Sequence, residues 1–231
     1  LTVELLKAPD TLPDFALAGV LFSLSQELQG RPTVATKVLS ECPDVIDILM
    51  GTMRRASAGQ LLATAGFSRH PHGAAIWCMC ELVQSAQATG VDLSHKLLSC
   101  GFIDVLLAAL SSIQELGAEN VQGLTVVMGA LSLLKTLSGS ALAQIEDRLR
   151  AEANASLRYL LDVHLAHVTD FGMTSSTFVT IILANLYGKE EESTYVLSQK
   201  DVDRFITNDV ELMRCEQWGG VWPLAANHAR G

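Results

Sequence analysis

Basic charge is scarce in this sequence. Sixteen Lys and Arg stand against 25 Asp and Glu, for a net charge of −9, and the basic residues are scattered, so no basic face offers itself to phosphates. Nucleic acid is therefore not an expected partner. Aromatics make up only 6% of the chain, which leaves Leu, Ala, Val and Ile to fill the interior. Six prolines in 231 residues and few clustered glycines argue against a disordered chain or a many-turned β-sandwich. Long apolar runs are also missing: none reaches the roughly 18 residues of a spanning helix, and the stretch Thr125 to Leu137 is interrupted by Lys135. Membrane insertion is not expected. The first residues hold no basic segment followed by an apolar one, the pattern of a secretory leader. The five cysteines, Cys42, Cys78, Cys80, Cys100 and Cys215, are odd in number and sit in apolar stretches, where a free thiol behaves as a small hydrophobe in a reducing compartment.

What remains is an apolar fraction of 49% against 18% charged residues, the composition of packed helices. The helices recur. VLSECPDVIDILMGTM from Val38 is echoed by KLLSCGFIDVLLAAL from Lys96, by YLLDVHLAHVTDF from Tyr159 and more faintly by YVLSQKDVDRFI from Tyr195. Each reads as a short apolar helix, a small or polar break, and a second helix starting at once. After each pair, or ahead of the first, comes a longer and more continuously apolar segment. These begin at Phe15, Ala74, Leu124, Phe178 and Val221. In the third, Leu124, Val127, Leu131 and Leu134 recur at helical spacing while Val126, Met128 and Leu133 make the opposite side apolar too. A helix apolar nearly all round must be covered on both sides, as the inner helix of a solenoid is.

Aligning the long segments at Ser23, Glu81, Thr136, Asn185 and Asn227 gives steps of 58, 55, 49 and 42 residues. The steps longer than a usual unit imply insertions. One is expected as a loop from Arg54 to His72, rich in Gly, Ala, Ser and Arg. Another is a polar helix from Leu142 to Ala153, capped by Ser140 and carrying Glu146, Asp147, Arg148, Arg150 and Glu152 on exposed turns. The organisation read from this is a single domain: a partial repeat 1–36, repeats 37–90 and 91–139, an inserted helix 140–154, a repeat 155–190 and a partial repeat 191–231.

The pattern of an apolar helix, a Gly-containing break, a second helix such as GFIDVLLAAL from Gly101 and a long third helix ending in a stretch such as ILANL resembles the armadillo repeat family. The most family-like unit runs from Lys96 to Leu137. The resemblance implies an all-α, right-handed superhelix of about four units with partial repeats at both ends. Its inner layer would be formed by helices near Ala74 to Ala86, Leu124 to Leu137 and Phe178 to Leu186. It also implies a eukaryotic protein-binding scaffold or adaptor, cytoplasmic or nuclear, whose third helices line a concave groove. There, Asn amides grip the backbone of an extended peptide and Trp rings wall the side-chain pockets. Asn185 matches the groove asparagine. Trp77 matches the position one turn earlier in its own repeat, where Glu81 replaces the expected Asn and would attract a basic side chain. Trp222 and Asn227 form a similar pair, five residues apart instead of four. Packing alone is the competing account of Trp77, and a helix-to-loop hydrogen bond that of Asn185.

No phosphate-binding Gly-rich loop, nucleophile elbow or paired metalloprotease His motif occurs. His70, His72, Cys78 and Cys80 are four metal-ligand types within eleven residues, but Cys78 and Cys80 stand two apart on one helix and project about 200° from each other. His164 and His167, with Asp162 and Asp170 nearby, share a helical spacing but read first as one packed and one exposed histidine. Helical-repeat iron hydroxylases use adjacent His-Glu pairs, and no His-Glu dipeptide is present. No metal, cofactor or catalysis is expected. The expected function is to hold a protein or extended peptide in the groove. The alternative is a structural subunit packing through its ends and convex face, since both termini read as part of a longer polypeptide or complex; a metal-dependent helical-repeat enzyme ranks behind both.

Overall fold

Short helices joined by tight breaks make up the computed structural model, which describes residues 2–63, 70–113 and 137–163 together with Val179, Ile182, Leu183 and Leu186. Among the described residues there is no strand. The order is α1 (Thr2–Leu6), a 3-10 turn (Pro9–Thr11), α2 (Asp14–Leu28), α3 (Pro32–Glu41), α4 (Val45–Arg54), α5 (Ala58–Ala63), α6 (Pro71–Ala88), α7 (Ser94–Cys100) and α8 (Phe102–Ser111). Then come α9 (Gly139–Arg148), a π-helical turn (Leu149–Ala153) and α10 (Asn154–Val163). The chain is all-α.

Proline sets several starts: it is the first residue of α3 and α6 and stands just ahead of α2, where its fixed φ suits a helix and its missing N–H goes unneeded. Between α7 and α8 the chain turns through 56° at Gly101, whose φ of +80° only glycine adopts at little cost. Arg54, at the end of α4, donates to the carbonyl of Cys100 and so satisfies the C-terminal end of α7. No single described helix is long and apolar enough to cross a membrane.

One apolar core runs through all of these elements. Leu17, Leu21, Leu24 and Leu28 of α2 meet Leu49, Met50 and Met53 of α4 and Ile76, Met79 and Leu82 of α6, each at most 1% exposed. Phe102, Leu106, Leu107 and Leu110 of α8 carry it on to Ile145, Leu149 and Leu157. Val179, Ile182, Leu183 and Leu186 are helical and buried, and their spacing marks one helical face turned to the same core. The remainder of the expected inner helices Leu124 to Leu137 and Phe178 to Leu186 lies outside the described residues, apart from Leu137, which is buried.

Helices α2 and α6 share the most extensive interface and run parallel. At their first turns the Asp14 carboxylate acts on His72, and at their last turns the Ser85 hydroxyl donates to the Leu28 carbonyl at 2.8 Å. Other polar ties join α4 and α8 to their neighbours. Lys96 of α7 pairs with Asp47 of α4 at 2.9 Å, and Arg148 of α9 pairs with Asp104 of α8 at 2.7 Å. Asp47 and Asp104 are each the third residue of their helix, following Ile46 and Ile103.

Two local expectations change. The stretch Arg54 to His72 is not all loop: it contains α5 and the start of α6, because Leu61 finds a buried position and α5 packs on α8. The polar helix begins at Gly139 behind Ser138, which makes no side-chain cap bond, so Ser140 lies inside the first turn and caps nothing. It also continues through the π-helical turn into α10, so no break in the helix separates residue 154 from 155. Its charges are tied down as well as exposed: Arg148 bridges to Glu152 and Asp104, and Arg150 bridges to Asp147 and donates to the Leu186 carbonyl at 2.6 Å.

A pair of glycine substitutions tests this account with opposite signs. Gly101→Ala places a Cβ at positive φ and 3.2 Å from Arg54 Nη2 and Asp104 Oδ2, and should lower stability in urea melts by about 1–2 kcal/mol. Gly51→Ala, inside α4 with nothing within 4 Å of the new Cβ, should raise it by about 0.5 kcal/mol.

Candidate functional site

The site is built on α6, the longest described helix. Its first turn is partly exposed, but from Gly73 onward burial is interrupted only at Trp77, Gln84, Gln87 and Ala88. Trp77, Glu81, Gln84 and Ala88 succeed one another at intervals of four, three and four, so they form a single stripe along the helix, accessible at Trp77, Gln84 and Ala88 and nearly closed at Glu81. The helix is otherwise enclosed.

Trp77 is half-buried and packs against the core with part of its ring accessible. One turn on, Glu81 is only 6% exposed, and among the described residues nothing pairs with its carboxylate. Burial alone pushes its pKa up to about 7. A carboxyl group held in this way takes a proton or a cation readily, because either removes the cost of a poorly hydrated charge. The pair thus presents an aromatic wall beside an unneutralised acid. One more turn along, Ser85 faces α2 and is fully engaged with Leu28. The boundary between stripe and core therefore falls between Glu81 and Ser85.

The other chemistry-bearing residues of this helix separate. Cys78 and Cys80 are both buried, and burial drives the Cys78 thiol far above its ordinary range, so it packs as an inert small hydrophobe. His70 and His72 stack at the head of α6 with ring centroids 5.5 Å apart. Burial, then the neighbouring His70, lowers the pKa of His72. Among the described residues no three His, Cys, Asp or Glu side chains gather into a metal-binding group. Asn185, Trp222 and Asn227 lie outside the described residues, as do His164, His167 and Asp170. Of the five expected groove residues, then, Trp77 and Glu81 are placed, one turn apart on the same stripe.

The sequence pattern did not single out Asp47, Lys96 and Asp104, and it placed Arg148 only on an exposed turn, yet the pairs Lys96–Asp47 and Arg148–Asp104 tie neighbouring helices together. The signal was present in the repeated Ile-Asp at 46–47 and 103–104. No family model, curated protein or solved structure matches this chain.

The perturbed acid has a pH signature. Because the folded-state pKa of Glu81 lies above its ordinary 4.5, the folded chain binds more protons than the unfolded chain between about pH 4.5 and 7, and stability falls as pH rises through that window. Glu81→Gln abolishes this contribution. The variant's stability relative to the parent, from urea melts, should therefore improve by about 1–2 kcal/mol between pH 5.5 and pH 8. An equal difference at both values would mean that Glu81 is not held in a desolvated setting.

Proposed function

We propose that the chain is a non-catalytic protein-binding scaffold of armadillo-like design, holding an extended, basic peptide segment of a partner along the stripe of α6. The observation that carries this reading is Glu81: nearly buried, unpaired among the described residues, and set one turn from a half-buried tryptophan. An isolated carboxylate in such a place costs stability, and a Lys or Arg from a partner offsets that cost while its alkyl stem lies on the indole.

The spacing of long-range contacts supports the repeat architecture. Among the described residues, the polar contacts that tie distant helices span 45 residues (Arg55 to Asp10), 57 (Ser85 to Leu28), 46 (Arg54 to Cys100), 49 (Lys96 to Asp47), 41 (Ser111 to Glu152), 44 (Arg148 to Asp104) and 36 (Arg150 to Leu186). Contacts that reach about one unit along the chain, as these do among the described residues, are what stacking of successive units produces. The register of α2 on α6 agrees with the 58-residue step between Ser23 and Glu81 to within a residue. Asp47 and Asp104, at matching places in α4 and α8, each receive a cation from a helix later in the chain. A right-handed superhelix of about four units, with Asn185, Trp222 and Asn227 continuing the groove, is the arrangement this reading requires.

The alternative, a structural subunit of a larger assembly, draws on Phe15, which is 77% exposed at the start of α2. Panning the purified chain against displayed random peptides separates the two. Groove binding predicts enriched peptides bearing Lys or Arg whose affinity drops about tenfold with Glu81→Gln and with Trp77→Ala. Absence of enrichment, or binding that neither substitution weakens, rejects the groove; concentration-dependent association lost in Phe15→Ser would favour the subunit.

A further inference from the structure

The last residue of α4 and the connection to α5 read Arg54-Arg55-Ala56-Ser57; Ala56 packs against the core, while the other three side chains serve neither the core nor the Trp77 stripe. Arg54, Arg55 and Ser57 are all exposed. Two guanidinium groups immediately ahead of an accessible hydroxyl suit the acidic substrate cleft of a basic-directed serine kinase, which reads charge at those places and phosphorylates the serine. We infer that Ser57 is a phosphorylation site for an ATP-dependent kinase of this class, and that its phosphate redirects the two arginines on which neighbouring helices depend.

In the transfer, Ser57 Oγ attacks the γ-phosphorus of ATP. The new O–P bond forms as the bond to the β,γ-bridging oxygen breaks, the hydroxyl proton passes to the base of the kinase, and ADP departs. Presenting the serine requires little disruption. The Ser57 N–H donates to Gln60 Oε1 at 2.8 Å and the Gln60 N–H donates to Ser57 Oγ at 3.2 Å, a reciprocal pair that closes the start of α5. The helix it closes is six residues long, too short to persist without its packing through Leu61 and against α8. Opening these two bonds and the last turn of α4 exposes the whole motif.

The effect of the phosphate depends on where the arginines point. Arg55 pairs with Asp10 in the turn ahead of α2, and Arg54 donates to the carbonyl of Cys100 at the end of α7. One reaches back 45 residues and the other forward 46, so together they tie α4 to an earlier and to a later part of the chain. A phosphate two and three residues away carries about −1.5 to −2 charge and three strong acceptors. It outcompetes a lone exposed carboxylate for Arg55 and a neutral carbonyl for Arg54. Phosphorylation therefore releases Asp10 and the C-terminal end of α7 together, and loosens α4 from both sides.

The test uses the full chain, ATP and the purified catalytic subunit of a basic-directed serine kinase, with the modified residue located by fragmentation mass spectrometry. Incorporation is expected at Ser57 of the native protein, absent there in Ser57→Ala and slowed at least about tenfold in Arg54→Gln/Arg55→Gln. Hydrogen exchange at amides 10–12 and 97–101 should then quicken by about threefold or more in the phosphorylated chain, and stay unchanged in Ser57→Ala treated identically. No incorporation at Ser57, or incorporation indifferent to the arginines, overturns the site. Full incorporation with unaltered exchange in both segments overturns the redirection.

Discussion

A helix that is apolar on nearly every side survives in water only if other helices cover nearly every side of it, and α6 is that helix. Ile76, Cys78 and Met79 turn toward different parts of its circumference, yet all are buried. Coverage on this scale cannot come from one neighbour. It takes α2 alongside in parallel and α3 and α4 across the remaining faces. The positions of the short helices result from this demand, as does the narrowness of the uncovered stripe.

That narrowness gives the stripe its chemistry. A carboxylate on an ordinary surface helix is hydrated and titrates where free carboxylates do, whereas Glu81 is only 6% exposed. Its raised pKa comes from burial, the same burial that places Met79 and Leu82 in the core. Trp77 is held by core contacts on one side of its ring, so the part left accessible is pre-organised. Stability and the proposed binding share one origin: the enclosure of α6 desolvates one acid as it protects many apolar side chains.

The polar ties between helices play a different role. Lys96 with Asp47 and Arg148 with Asp104 are exposed pairs, and pairs of that kind contribute little stability each. Their value is register. A helix face of Leu, Ile and Ala slides easily against another, and one ion pair at the third residue of α4 and of α8 selects among near-equivalent offsets. The buried bond from Ser85 to Leu28 does the same for α2 and α6. Since α4 is tied in both directions through adjacent arginines, a charge added at its C-terminal end would act on an earlier and a later part of the chain at once.

Helical class, the break at Gly101 and the burial of the Ala74 to Ala86 segment were legible in the sequence, because they depend on local rules: apolar periodicity, proline at helix starts, glycine where the chain must turn left-handed. That Trp77 and Glu81 stand one turn apart on one helix was legible for the same reason. Tertiary structure alone decided which acids are hydrated and which are enclosed. It made Glu81 a buried acid and Asp47 and Asp104 register pins, and it turned the supposed loop after Arg54 into a short helix resting on α8. The physical reason is that desolvation and ion pairing depend on what lies across space, 44 to 57 residues away for the contacts of Asp104, Asp47 and Ser85, and no local window of sequence contains that neighbour.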